Sequence, residues 1–120
     1  MYDNLYCQCF LELDSFESRG ELCAWLNRIL HGKLIPYPFD SIETPWGILD
    51  VRRNRSYGIS KGTNSDPLDD FLYWRYYLDI EPAENVPESA YIQNLRKFIH
   101  ELKKQGVRVV PACEFEDELM

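Results

Sequence analysis

Between residues 71 and 110 the hydrophobic period changes from that of a strand to that of a helix and back, and no other stretch restricts the fold as much. From Phe71 to Glu81, Leu72, Trp74, Tyr76, Leu78 and Ile80 alternate with Phe71, Tyr73, Arg75, Tyr77 and Asp79, and Pro82 ends the run. Tyr91, Ile92, Leu95, Phe98, Ile99 and Leu102 then recur at helical spacing, with Pro87 near the start and Gly106 just past the end. Val107 to Val110 follow as a short β-branched run, which Ala112, Cys113 and Phe115 extend beyond Pro111. A strand, a one-sided helix and a second strand require a sheet for the helix to cover.

The first half of the chain supplies the rest of that sheet. Leu5, Cys7, Cys9, Leu11 and Leu13 alternate with Tyr6, Gln8, Phe10 and Glu12, so the first set should face the core. Asp14 and Glu17 have the spacing of a capping box, and Leu22, Cys23, Leu26, Ile29 and Leu30 share one stripe of a helix predicted from Ser15 to His31. Gly32 is the expected left-handed residue at its end. Pro36 and Pro38 limit any strand between Lys33 and Phe39 to a short or edge position. A turn at Thr44-Pro45-Trp46-Gly47 and alternation through Arg53 predict a hairpin from about Asp40 to Arg53. The order β-α-β(β)-β-α-β leads to an α+β expectation: a ferredoxin-like two-layer sandwich whose antiparallel or mixed sheet carries both helices on one face.

A chain of 120 residues, 45% of them hydrophobic, suffices for one core, so residues 1–120 are expected to form a single domain. A Gly-, Ser-, Asn- and Asp-rich loop at 54–70 and an acidic tail at 114–120 complete it. The formal charge of -7 repels nucleic acid and anionic lipid and favours a basic protein partner. Without an apolar stretch of about 20 residues or a basic, apolar leader, the expected location is the cytoplasm. There Cys7, Cys9, Cys23 and Cys113 should stay reduced and metal-free, as small buried hydrophobes.

No motif assigns chemistry. His31 and His100 fall near helix ends, where a histidine commonly complements the dipole. Cys7-Gln8-Cys9 is too closely spaced for a zinc knuckle, Asn64, Asp66 and Asp69 miss the calcium-loop pattern, and Gly58 and Gly62 form no phosphate loop. No catalytic residue, metal ligand or cofactor is therefore expected. The enzyme alternative is a small hydrolase or isomerase using acidic residues beside the 54–70 loop, with Asp69, Asp70 and His100 as the residues to change. A ligand-binding regulatory domain is a third reading.

The side of the sheet away from the helices is more informative. It should carry Tyr73, Arg75, Tyr77 and Asp79, with Glu12 and Asp50 near them and Tyr6 and Phe10 adjoining. Tyr and Arg anchor protein interfaces, and the surrounding acids oppose the alternative of base stacking. These six residues form the predicted partner-binding set. A second packing layer under the long loop, or a homodimer through this face, is the competing explanation.

The segments FLYWRYYLDIEP (71–82) and VVPACEFEDEL (109–119), separated by the amphipathic helix, resemble a group of small, acidic bacterial proteins with no assigned activity. In size, acidity and aromatic content the chain is also similar to bacterial immunity proteins. That resemblance implies a non-enzymatic inhibitor that binds a basic toxin, without transferring any contact residue.

Overall fold

The computed structural model describes residues 2–13, 15–55, 57 and 71–120. Among them the elements follow as β1 (Cys7–Glu12), α1 (Arg19–Leu30), β2 (Lys33–Ile35), β3 (Ser41–Glu43), β4 (Gly47–Arg53), β5 (Tyr76–Pro82), α2 (Glu88–Lys104), β6 (Arg108–Ala112) and α3 (Glu116–Leu119). The strands form one antiparallel sheet in the order β2-β3-β4-β5-β1-β6. β5 and β6 flank β1 and are joined by α2, so they run parallel to each other with β1 between them.

The class is α+β, but the strand order differs from the expectation because β2 and β3 extend the sheet beyond β4. The prolines permit this. β2 ends at Ile35 before Pro36, and β3 begins at Ser41 after Pro38, so neither ring interrupts a ladder. The expected hairpin is present, closed by Thr44, whose Oγ1 donates to Gly47 O at 2.8 Å and accepts from Gly47 N–H at 2.9 Å.

A single cluster joins Cys7, Cys9 and Leu11 of β1, Leu49 and Val51 of β4 and Leu78 and Ile80 of β5 to both long helices. Leu22 and Leu26 of α1 and Leu95, Ile99 and Leu102 of α2 meet them, so both helices cover the same sheet face. Burying a side chain of this size stabilises the fold by roughly 1.5–3 kcal/mol. Tyr91 is fully buried with its hydroxyl donating to Leu5 O at 2.8 Å and Ile80 O at 3.3 Å. α2 ends in a Schellman motif: Gly106 has φ 87, Gly106 N–H donates to Lys103 O and Val107 N–H to Leu102 O. The expected acidic tail is docked, since α3 seats Phe115 and Leu119 in the core.

Four expectations need correction. β5 begins at Tyr76 rather than Phe71, because residues 71–73 form a tight turn in which Trp74 N–H donates to Phe71 O. Side chains in a turn do not alternate between faces, so Leu72 is 41% exposed instead of lying in the core. Trp74 is buried, but against Phe71 and Arg108 rather than under the helices. α1 starts at Arg19, capped by Ser18, whose Oγ accepts from Glu21 N–H at 3.2 Å; Asp14 lies outside the described residues. Finally, His31 takes the left-handed conformation expected of Gly32. Gly32 serves close approach instead: a Cβ there would stand 2.5 Å from Glu43 O.

Cys7, Cys9 and Cys23 are buried, Cys113 is half-buried, and all four thiols are free. A hydrogen bond with Cys113 pulls the Cys7 thiol down, but contact with Cys9 and burial outweigh it and hold the thiol above its ordinary range. Among the described residues no group of His, Cys, Asp and Glu is arranged to hold a metal ion. No described helix is long and apolar enough to cross a membrane.

Candidate functional site

Because both helices lie on one face, alternation along each strand presents a second set of side chains on the other. Register turns that set into rows. Phe10 pairs with Val110 on one side and Tyr77 on the other, and Tyr77 pairs with Arg52. The neighbouring row runs Ala112, Gln8, Asp79, Asp50 and Ser41. Glu12 pairs with Arg108 at the outer end.

Aromatic contacts bind the first row together. The Phe10 ring lies 5.5 Å from Tyr77 and 5.3 Å from Phe71, which the 71–74 turn folds over it. Phe71 in turn meets Trp74, and the Arg108 guanidinium lies 5.2 Å from the Trp74 ring. A local second layer therefore covers the β1–β6 side of this face. Towards β4, Phe39 stacks on Arg52 at 4.4 Å and remains 45% exposed.

Charge on the face is balanced locally. Arg52 reaches Asp79 at 3.3 Å and Asp50 at 3.5 Å, while Arg108 reaches Glu12 at 2.9 Å. Asp50 also accepts from Ser41 Oγ at 2.6 Å, and Asp79 accepts from the Tyr6 hydroxyl. Partial burial, then the bond to Asp79, pushes the Tyr6 phenol up to about 12, so it remains a donor at neutral pH. Such partly exposed pairs add little stability, of order 0.2–1 kcal/mol each, but they fix side-chain positions.

The structure thus brings Tyr77, Asp79 and Asp50 together, with Glu12 farther along the face. Tyr73 and Arg75 lie before β5 and do not share its alternation; Arg75 packs its guanidinium against Tyr57 and Tyr76. Arg52 and Phe39 are the residues the sequence reading passed over. Arg52 could have been found from its alternation with Val51, but of its ion partners Asp79 lies on another strand, and both Asp50 and Asp79 belong to another row.

Comparison of the chain with protein-family models, curated proteins and solved structures finds no match. The site must be read from its own geometry.

Of the two histidines, His31 is exposed at the end of α1 and His100 is half-buried on α2. Asp69 and Asp70, the acids of the enzyme alternative, lie outside the described residues. The sheet face offers rings, a guanidinium held by two carboxylates and half-buried apolar positions. Rings and guanidinium groups of this kind are among those that anchor protein interfaces.

Proposed function

We propose that this chain is a cytoplasmic, non-enzymatic protein-binding module that docks a basic protein on the face of its sheet opposite the helices. The immunity or inhibitor type, directed at a basic bacterial toxin, is the form of that function we favour. In architecture we read β6-β1-β5-β4 with α1 and α2 as a ferredoxin-like sandwich whose β4 edge is extended by the β2–β3 hairpin.

The observation that carries the reading is the face opposite the helices, on which Phe39 stacks on an ion-paired Arg52, Tyr77 is its register neighbour, and Phe10 backs Tyr77 from β1. Aromatic and arginine side chains are the groups that dominate binding when desolvated, and charges already paired within the face lose less on losing water. The formal charge of -7 supports a basic partner by raising its association rate, while the rings set its residence time. Replacing Tyr77 by Ala should therefore accelerate dissociation of a partner that co-purifies with the chain. A loss on the order of 2 kcal/mol, about thirtyfold in affinity, is expected in surface plasmon resonance. Unchanged affinity, with the variant folded, would move the interface elsewhere.

A further inference from the structure

We propose that the cleft at the C-terminal end of β4, which shares Arg52, Tyr77 and Asp79 with the docking face, binds a small nucleoside phosphate, a function distinct from protein docking and testable without any partner. The cleft is open to solvent and has a volume of about 860 Å³, within the range of small-ligand sites. Arg19, Arg52, Arg53 and Arg55 line it, which places four of the thirteen basic residues of a chain with net charge -7 around one opening. This concentration opposes the sign of the molecule as a whole.

The four arginines are not equivalent. Arg52 is held by Asp50 and Asp79, and Arg19 by Asp40 at 3.7 Å. Arg53 and Arg55 are exposed, and among the described residues neither makes an ion pair. Their backbone is nevertheless fixed. Asn54 between them is buried, donates its side-chain amide to Leu72 O at 2.8 Å and Trp74 O at 2.7 Å, and its N–H donates to Arg75 O at 2.8 Å. Two uncompensated guanidinium forks on an anchored backbone match the oxygens of a phosphate, which an arginine can grip at two points.

The other walls specify what the phosphate is attached to. Tyr77 and Tyr57 also line the cleft, and aromatic rings beside a cationic groove stack nucleobases without requiring a particular base. Asp79, the acid on the lining, is already engaged by Arg52 and Tyr6, which reduces its repulsion of an anion.

The test is calorimetric titration of the whole chain with ADP, pyrophosphate, adenosine and sulfate at constant ionic strength. ADP should bind more tightly than pyrophosphate, and both far more tightly than adenosine or sulfate. Arg53→Gln and Arg55→Gln should each weaken ADP by about tenfold or more, the usual loss of one charge-assisted contact. Arg96→Gln, on the exposed surface of α2, should leave ADP binding unchanged. Since Arg53 and Arg55 are exposed, a thermal midpoint close to that of the parent would verify that both variants fold. ADP binding no tighter than sulfate, or no tighter than pyrophosphate, would overturn the proposal. So would ADP binding that survives in the Arg53→Gln/Arg55→Gln double variant.

Discussion

Cys23 shows how one buried side chain ties stability to pH. Burial, with smaller contributions from Asp40 and Asp50, raises its thiol from 9.0 to about 11. Below pH 9 the thiol is protonated in both folded and unfolded chains, and its contribution is complete. As pH rises from 9 to 11 the unfolded chain releases the proton first, so stability should fall across that window. Urea midpoints measured from pH 8 to 11 should decline less steeply for Cys23→Ala than for the parent; equal slopes would show that Cys23 does not titrate as described. The burial of Cys23 was legible from its place on the helical stripe. The role of Asn54 was not: at the head of a polar segment it reads as a loop residue, and its carbonyl partners lie about twenty residues away. Long-range polar anchors of this kind leave no local period.

Periodicity located β1, β4, α2 and β6 because each buries one face against a single partner layer. It failed where alternation continues in the letters but not in the backbone. Phe71 to Arg75 continue the pattern of β5, yet the chain there turns to cap Phe10. The two glycines after the long helices were also read alike, although their constraints differ. Gly106 needs a positive φ but has open space around it, so Gly106→Ala should cost about 1 kcal/mol. At Gly32 an added Cβ would meet Glu43 O at 2.5 Å and Ile42 Cγ2 at 2.8 Å, forcing α1 and β3 apart. Gly32→Ala should therefore be the more damaging, at roughly 2–3 kcal/mol. Chemical denaturation of the two variants would check the order, and a costlier Gly106→Ala would contradict it.

At the scale of the molecule, a six-stranded sheet with helices on one side leaves a broad second face, and its chemistry is mixed rather than acidic. Sequence alternation identified Tyr77, Asp79, Asp50 and Glu12 as members of that face. It could not show that arginines pair with all three acids, because Asp79 and Glu12 meet theirs across strands, and cross-strand pairing depends on register. The negative charge that would steer a basic partner is therefore carried largely beyond the face, including the exposed acids of α3. The most direct test is photo-crosslinking in the source cells, with benzoylphenylalanine replacing Phe39 on the sheet face or Lys97 on the outer surface of α2. One discrete adduct with a basic protein is expected from position 39 and none from position 97. An adduct formed equally well from position 97, or none from position 39, would contradict it.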